Sequence, residues 1–359
     1  MPATSLTLES VPCNLCQSTD LETVYDARAD LEKDPELAVK FRASSDELLT
    51  QPLVRCRQCS LLFVNPRIPA AAILAGYAEG DDPQYVSQMR ARVRTFAGAL
   101  SHINRLNPAK GHLLDVGTAA GAFLRAARDD GWAAMGIEPN RWLADWGRDE
   151  YGVPIHVGSI DDVSLPNGHF DVVTLWDVIE HTPDPLHVLR RTRQLLKPDG
   201  LLIVNFPDIG SWIARAMGRN WPFLSSVHLY YFTRETMRAT LRKAGFETAR
   251  VRPHVQRLEL DYLLSRAAVV SPTLSRVGVS AVRGLKIGSC HVPYWLGFFG
   301  GRDNASLEVM DAVRRQIEGA KARALFEDWL LGQLSSGRER YGAASSWCVQ
   351  KPRAVPTPR

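Results

Sequence analysis

Four short apolar runs alternate with helical patterns in the middle of this 359-residue chain. The apolar runs are typical of buried strands and lie at 112–117, 133–139, 170–178 and 200–207. Helical spacing of apolar residues fills the gaps between them, at about 121–130, 140–150 and 184–196. Strands and helices in such alternation build a mostly parallel sheet that helices cover on both faces. The sequence therefore predicts an α/β, doubly wound architecture.

A glycine turn follows the first strand, in the stretch HLLDVGTAAGAFLRAA. In an open parallel sheet the ligand crevice lies at the carboxyl ends of the central strands, where a strand turns through glycine into a helix. Gly117 and Gly121 stand at this turn, and the next strand ends in Glu138, 17 to 21 residues further on. A carboxylate at that position can accept both hydroxyls of a ribose. The pattern fits an adenosyl ligand, and the alternative is a tight turn that binds nothing.

Two C-x-x-C pairs, CNLC and CRQC, stand near the start of the chain at Cys13, Cys16, Cys56 and Cys59. Each pair lets two thiolates reach one ion from a single turn, and two pairs complete a closed tetrahedral zinc site. Such a site is structural, because it leaves no position for water. The alternatives are two unrelated cysteine pairs or a redox C-x-x-C.

Charge is distributed unevenly along the chain. Residues 1–209 contain 20 basic and 28 acidic side chains, and residues 210–359 contain 23 basic and 11 acidic ones. The basic part is expected to be a solvated helical surface, with contact to phosphates or anionic lipid as the alternative. The longest uncharged stretch, Ile287–Gly301, is shorter than the roughly 18 to 20 residues of a spanning helix, and we expect a cytoplasmic protein.

The order of these motifs resembles that of class I S-adenosylmethionine-dependent methyltransferases, in the sugar and small-molecule subgroup with an amino-terminal four-cysteine zinc ribbon. LLDVGTAAG resembles the first motif of that family, with Ala119 where the family usually has a middle glycine, and GIEPN resembles the second. RCRQCSLLFVNPR, followed by Tyr77, resembles the second zinc knuckle. LLKPDGLLIVNFP is similar to the fifth strand, and HLYYFTRETMRATLRKAGF to the returning strand and helix before a last hairpin.

The resemblance implies a seven-stranded, mostly parallel sheet and two ligands, S-adenosylmethionine and a structural Zn²⁺. It assigns S-adenosylmethionine binding to a set of residues in these motifs: Asp115, Gly117, Thr118, Gly121, Glu138, Ile160, Asp161 and Asp177. It also divides the chain into a zinc ribbon at 1–68, a helical linker or lid at 69–108, a methyltransferase core at 109–254 and a carboxyl-terminal extension at 255–359.

Candidate catalytic residues follow the fourth strand of the core. Methyl transfer from a sulfonium needs placement of the acceptor, exclusion of water and, for an acidic acceptor, a base. His181 is the first candidate base, beside Glu180, and His228 and Tyr231 are second candidates. In the alternative interpretation His181 caps or packs the following helix. The aromatic run NWPFLSSVHLYYF is interpreted as either the wall of an acceptor pocket or ordinary core.

The last hundred residues show weaker patterns. We expect a helical hairpin over the acceptor site within 255–301, with a peripheral membrane contact through Trp295, Phe298 and Phe299 as the alternative. Residues 305–334 have helical spacing, and the end, QKPRAVPTPR, is expected to be disordered.

The leading function is methylation of a small-molecule or carbohydrate-type acceptor: a sugar nucleotide, a polysaccharide or a secondary metabolite. An RNA methyltransferase is the second hypothesis, which the acidic insertion around 30–47 disfavours because it would repel phosphates. A binding protein without turnover is the third. The acceptor atom and the oligomeric state stay open.

Overall fold

The fold is described from a computed structural model for residues 8–28, 48–254, 256–259, 280, 291–294 and 345–352. The first sheet is antiparallel and contains three strands from the amino-terminal part, β1 (Leu21–Tyr25), β2 (Leu53–Cys56) and β3 (Leu62–Val64). The side chains of Leu53, Val54, Phe63 and Val64 are all buried, because successive residues of a strand point to opposite faces and both faces of this sheet are covered. We call it the cysteine sheet, since Cys56 ends its second strand.

Three helices connect this sheet to the centre of the molecule, α1 (Ala70–Glu79), α2 (Pro83–Ser87) and α3 (Met89–Leu106). The predicted helical stretch from Tyr85 to Leu106 is therefore divided at Gln88. The side chain of Asp82 accepts a hydrogen bond from Tyr85 N and Pro83 follows it, so α2 has its own start signal.

The central sheet contains five parallel neighbours, in the order β8-β7-β4-β5-β6. Their bounds are β4 (His112–Val116), β5 (Ala133–Glu138), β6 (Ile155–Val157), β7 (Phe170–Trp176) and β8 (Leu196–Pro207). The helices between them are α4 (Ala122–Asp129), α5 (Arg141–Tyr151) and α6 (Pro185–Leu195). The predicted α/β fold with a parallel sheet is confirmed, and the four predicted strands are β4, β5, β7 and β8.

Both faces of this sheet are covered. Leu114, Val173 and Leu202 belong to one apolar cluster, together with residues of α6 and of a later helix, α8 (Arg234–Lys243). Leu113 and Val172, which point to the opposite face, belong to another cluster with residues of α3 and α4. Leu113 and Leu114, adjacent in β4, are therefore buried on opposite faces, so the strand does not alternate between apolar and exposed residues.

A short helix, α7 (Trp212–Met217), and a two-residue strand, β9 (Tyr230–Tyr231), precede α8. β9 pairs with β3 of the cysteine sheet, Leu62 opposite Tyr231 and Phe63 opposite Tyr230. The strand that we expected to return to the core therefore joins the amino-terminal sheet. Its aromatic side chains are buried there and beneath α8. Trp221, Tyr230, Tyr231 and Phe232 are thus part of the apolar core.

Beyond α8 the described residues are strands. β10 (Phe246–Pro253) and β13 (Ser345–Pro352) extend the central sheet past β8, and β13 lies between β8 and β10, antiparallel to both. β11 (Gln256–Glu259) pairs with β12 (His291–Tyr294). The prediction of a helical extension is wrong for β11, β12 and β13, and that of a disordered tail for residues 350–352, because backbone pairing with neighbouring strands selects an extended conformation there. The expected helix at 305–334 and the aromatic residues at 295–299 lie outside the described residues.

Within the described part of the chain, none of the helices has both the length and the apolar character needed to cross a bilayer.

Candidate functional site

The turn between β4 and α4 needs glycine at both ends. Gly117 has φ +67° and Gly121 has φ +75°, in the left-handed region that glycine adopts without strain. A Cβ atom on Gly117 would lie 2.7 Å from Val178 Cγ2, and one on Gly121 would lie 2.8 Å from Val153 Cγ2. The backbone of the turn therefore lies directly against the end of β7 on one side and the α5–β6 connection on the other.

Ala119 occupies the middle of the turn, with φ +48°. Its N–H donates a 2.7 Å hydrogen bond to Glu138 Oε2. A left-handed conformation costs a non-glycine residue roughly 1 kcal/mol, and this hydrogen bond to a carboxylate offsets that cost. The alanine therefore follows the path that the turn requires.

Glu138 ends β5 and faces the glycine turn. Its second oxygen, Oε1, accepts a 2.8 Å hydrogen bond from the N–H of Asn140, and the Tyr77 hydroxyl also bonds to this carboxyl group. The side chain is 1% exposed, and burial raises its pKa from 4.5 to about 7, although these three donors act in the opposite direction. The carboxyl group is thus fixed in orientation beside the turn.

Asp115 lies beneath the turn in β4, and Thr118 begins it. Thr174 Oγ1 donates a 2.6 Å hydrogen bond to Asp115 Oδ1, and burial raises the pKa of Asp115 to about 7. The N–H of Thr118 donates to Ile137 O at 3.1 Å, while its side chain packs against Gly136. Both residues therefore hold β4, β5 and β7 together at the base of the turn.

Ile160 and Asp161 follow β6, the strand beyond Glu138. Gly158 N–H donates to Glu138 O at 3.0 Å, which fixes the start of this segment beside β5. Ile160 is buried in the core, and Asp161 is exposed and pairs with His187 Nε2 at 2.9 Å. The apolar side chain is therefore directed inward, whereas the carboxylate lies at the surface.

Asp177 follows β7 directly and has φ +53°, an unusual conformation for an aspartate. Asn205 Nδ2 of β8 donates a hydrogen bond to its Oδ1. Since β4 and β7 are parallel neighbours with Val116 opposite Leu175, Asp177 lies next to Gly117 at the same edge of the sheet. Strained backbone of this kind is frequent at functional sites.

Glu180 and His181 lie in a single 3-10 turn, Ile179–His181, just beyond Asp177. His228 approaches them from the segment before β9, and the imidazole centroids of His181 and His228 are 4.6 Å apart. Leu229 N–H donates to Glu180 O at 2.8 Å, so a backbone hydrogen bond joins the two segments. The three predicted catalytic side chains are thus together, and we call them the acceptor cluster.

Burial governs the ionisation of this cluster. It raises the pKa of Glu180 well above 4.5, with a further rise from the nearby Asp177 carboxylate. It lowers the pKa of His181 to about 4, against the hydrogen bond to Val227, and it lowers that of His228 well below 6.5. Both imidazoles are therefore neutral at physiological pH. Tyr231, the other candidate, donates its hydroxyl to Ser225 O at 2.9 Å and is part of the core.

Two tyrosines that we did not predict as site residues lie over the crevice. The pKa of Tyr85 is raised by burial and by the carboxylates of Glu138, Asp177 and Asp115, against the effect of Arg92, whose guanidinium stacks 4.1 Å from the ring centroid. Tyr77 bonds to Glu138. The side chain of Asn140 donates to Tyr77 O at 2.6 Å and to Gly80 O at 2.7 Å, which fastens the end of α1 to the start of α5. Two sequence features could have indicated these tyrosines: the DDP motif that starts α2 just before Tyr85, and the resemblance of the segment around Tyr77 to the zinc-ribbon subgroup.

The four paired cysteines form a second cluster, apart from the crevice. Their sulfur atoms all lie within 4.8 Å of one another, and Cys13–Cys59 and Cys16–Cys56 are each 3.4 Å apart. The two turns are alike, because the residue after each second cysteine is left-handed, Gln17 at φ +65° and Ser60 at φ +62°. Burial raises the pKa of Cys13 to about 11, whereas hydrogen bonds from the backbone of Cys59 and Gln58 outweigh burial at Cys56 and lower its pKa to about 7.

Comparison with known proteins gives a match over the same part of the chain. Residues 85–251 match the family described as "Methyltransferase domain". The ubiquinone biosynthesis O-methyltransferase of Xanthomonas axonopodis pv. citri is 31% identical over 142 residues, which are 38% of this chain and 57% of that protein. The enzyme of the same name from Haemophilus ducreyi is 33% identical over 103 residues, which are 26% of this chain and 44% of that protein.

Among solved structures, a Thermotoga maritima S-adenosylmethionine-dependent methyltransferase, described as a possible histamine N-methyltransferase, is 26% identical. That likeness covers 47% of this chain and 76% of the other, with a TM-score of 0.39. This chain spans about half the length of the two curated relatives. Residues 85–251 therefore match a methyltransferase domain, in agreement with the resemblance of the motifs.

Proposed function

We propose that this protein transfers a methyl group from S-adenosylmethionine to a small-molecule or carbohydrate-type acceptor. The observation that carries the proposal is the position of the Glu138 carboxyl group, which two backbone N–H groups hold beside the glycine turn. A carboxylate fixed there accepts the two hydroxyls of a ribose without reorganisation.

The S-adenosylmethionine site uses the carboxyl ends of four parallel strands. Glu138 binds the ribose, and the turn from Gly117 to Gly121 lies against the ligand. Ile160 packs on the adenine, and Asp161 accepts a hydrogen bond from the adenine amino group. Asp177 faces the methionine part, and Asp115 with Thr118 supports the turn. This end of the crevice is rich in buried carboxyl groups, which suits a ligand that has a positive sulfonium and an ammonium group.

The acceptor lies at the acceptor cluster, beyond Asp177. His181 Nδ1 is 2.9 Å from Val227 O and His228 Nδ1 is 2.8 Å from Phe223 O. Because a carbonyl oxygen only accepts, each Nδ1 carries the proton and each Nε2 keeps its lone pair. The two Nε2 atoms and Glu180 are the groups available to an acceptor's proton, with His181 as first candidate.

The curated relatives favour an oxygen acceptor, because they are named as O-methyltransferases. A neutral imidazole suits such an acceptor, since a hydroxyl must lose its proton as the O–CH₃ bond forms. We therefore propose O-methylation of a small molecule or of a sugar. Nothing in the described residues favours RNA as the substrate, and the acidic segment at 30–47 lies outside them.

We also propose that Cys13, Cys16, Cys56 and Cys59 hold one structural Zn²⁺. Four thiolates at about 2.3 Å from a tetrahedral ion are about 3.8 Å apart, close to the sulfur distances of this cluster. Zn²⁺ would also compensate the burial that raises the pKa of Cys13, because it binds thiolates. Metal analysis of the purified protein should give one zinc per chain, and loss of zinc in Cys16→Ser is the expected result.

Calorimetric titration with S-adenosylmethionine tests the main proposal. Glu138→Ala removes an acceptor of two ribose hydroxyls, and charge-assisted hydrogen bonds contribute about 1.5 to 3 kcal/mol each, so we expect at least about tenfold weaker binding. Glu150→Ala is the matched control, because Glu150 is exposed on α5. Equal affinity of the Glu138 variant and wild type would exclude this site.

A further inference from the structure

The acceptor cluster has the composition and the separation of a metal site. Its ligand atoms, one carboxylate oxygen of Glu180 and one ring nitrogen each of His181 and His228, all lie within 4.8 Å of one another. Glu180 and His181 are neighbours in one turn, and the backbone hydrogen bond from Leu229 N to Glu180 O, 2.8 Å long, holds the segment of His228 against them. Three candidate ligands from two segments are therefore fixed in one place.

The orientation of the two imidazoles also fits a metal. Each donates Nδ1–H to a backbone carbonyl, His181 to Val227 O and His228 to Phe223 O. Histidines that bind a metal through one nitrogen almost always donate the other N–H to such an acceptor, which fixes the tautomer and the ring plane. The Nε2 lone pairs of both rings therefore remain for a ligand.

Glu180 supplies an independent observation. The residue is 1% exposed, and neither carboxyl oxygen has a hydrogen-bond partner on any other described residue. A buried polar group without a partner costs about 1 to 3 kcal/mol, more if it is charged, and a ligand that binds the group removes this cost. The neighbouring Tyr231 hydroxyl does not satisfy it, because that proton is donated to Ser225 O.

We propose that Glu180, His181 and His228 bind a divalent transition-metal ion at the acceptor end of the crevice. Two imidazoles and one carboxylate suit first-row ions and leave coordination positions open. The cysteine cluster has the opposite design, with four thiols that close the shell. The alternative, a proton held between Glu180 and an imidazole without metal, is an outcome of the test below.

The open positions also indicate the class of acceptor, and this step rests on the proposed function. They suit oxygen ligands, so the acceptor would bind through a hydroxyl next to a second oxygen. With both Nε2 lone pairs on the ion, His181 would be a ligand and not the base. The hydroxyl proton would then pass to solvent, the oxygen lone pair would form the bond to the methyl carbon, and the electron pair of the broken C–S bond would remain on sulfur. The sulfonium charge is neutralised in the same step.

The test is metal binding to the zinc-loaded full chain, without S-adenosylmethionine or acceptor. Co²⁺ and Mn²⁺ are titrated by equilibrium dialysis with metal analysis, and one additional ion per chain is expected for at least one of them. Glu180→Gln and His228→Asn should each weaken that binding at least about tenfold. Their controls are Glu150→Gln and His156→Asn, which change exposed residues on α5 and β6 and should bind the ion as wild type does.

Zinc content and S-adenosylmethionine affinity are measured on every variant, so that a misfolded protein is recognised. The absence of a second ion in wild type would overturn the metal site, and so would binding that Glu180→Gln and His228→Asn leave intact. Because S-adenosylmethionine binding is read in the same preparations, failure of the metal site is distinguishable from failure of the methyltransferase assignment.

Discussion

The two ends of the crevice are constructed differently. At the end of the glycine turn, both oxygens of Glu138 accept hydrogen bonds from backbone N–H groups of residues at the ends of β4 and β5. At the acceptor end, no other described residue donates to the Glu180 carboxyl group, and its companions His181 and His228 are 47 residues apart in sequence. The carboxyl group of the first end is therefore oriented without a ligand, whereas that of the second is left free to bind one.

This difference has a physical basis. Every parallel sheet of this kind ends its central strands at one edge, so backbone N–H groups are always available there to orient a carboxylate. An acceptor site must bind one particular molecule and is built from side chains. Its unsatisfied groups destabilise the free protein by a small amount and favour the bound state.

Removal of zinc should give the largest difference between the two ends, with turnover lost and the affinity for S-adenosylmethionine kept. β3 pairs with β9, and Val64 N–H donates to Leu229 O at 2.9 Å, so the cysteine sheet holds the segment that carries His228. Structural zinc contributes about 10 kcal/mol or more of apparent binding free energy. A chelator that removes it should abolish turnover, while the affinity for S-adenosylmethionine, measured by calorimetry, changes by only about twofold. Equal loss of both would mean that the ends are not independent.

His181→Asn should lower kcat by about 10²- to 10⁴-fold, because it removes the Nε2 lone pair. The asparagine amide can still donate to Val227 O, so the local fold and the affinity for S-adenosylmethionine are expected to remain. His181→Gln places an amide nearer the position of Nε2 and is the companion variant. A wild-type rate in His181→Asn, followed by product formation, would remove His181 from the reaction.

Because the pKa of Glu138 is raised, both the stability of the protein and its affinity for S-adenosylmethionine should depend on pH. The folded protein holds this proton more tightly than the unfolded chain, so the contribution to stability is complete below pH 4.5 and is lost as the pH rises to about 7. Affinity for S-adenosylmethionine should increase over the same range, because the carboxylate is the better acceptor of ribose hydroxyls. Thermal unfolding and calorimetry across this range check both.

Glu138→Gln is the control for that measurement, since it has no proton to release. Its stability and its S-adenosylmethionine affinity should both change less between pH 4.5 and 7 than those of wild type. Parallel pH profiles of the two proteins would assign the effect to another group, such as Asp115, whose pKa is also raised to about 7 by burial.

Ala119→Gly should have the smallest effect, a stabilisation of up to about 1 kcal/mol, because glycine adopts φ +48° without strain. The affinity for S-adenosylmethionine should stay within about twofold, since the N–H that bonds to Glu138 is kept. Ala133→Gly, at an exposed position in β5, is the control and should destabilise the protein. Denaturant unfolding measures both, and destabilisation of Ala119→Gly would show that the methyl group is needed.

Local patterns predicted the Glu138 end well. The strand that ends in Val116, the glycines at 117 and 121 and the acid at 138 are close in sequence, and the parallel sheet places the ends of successive strands together. The C-x-x-C pairs likewise predicted the cysteine cluster, because each pair forms within one turn. Neither prediction needed knowledge of long-range packing.

Long-range packing decided the features that the sequence patterns missed. β9, which resembles the family's returning strand, pairs with β3 of the cysteine sheet, and the residues at 345–352, assigned to a helical extension with a disordered tail, form a strand between β8 and β10. A two-residue strand and an isolated extended segment carry too little local signal to indicate their partners. Tyr85 in α2 likewise lies near enough to Glu138, Asp177 and Asp115 for these carboxylates to raise its pKa, a proximity that no local pattern indicates.

The sequence by itself determined the alternating α/β core, the glycine turn and the two cysteine pairs, because hydrophobic period, glycine conformation and ligand spacing act within a few residues. Only the tertiary structure brought His228 to Glu180 and His181 and left the oxygens of Glu180 without a donor from any other described residue. The contacts of a buried side chain depend on every element packed around it, and that arrangement forms only when the chain is folded.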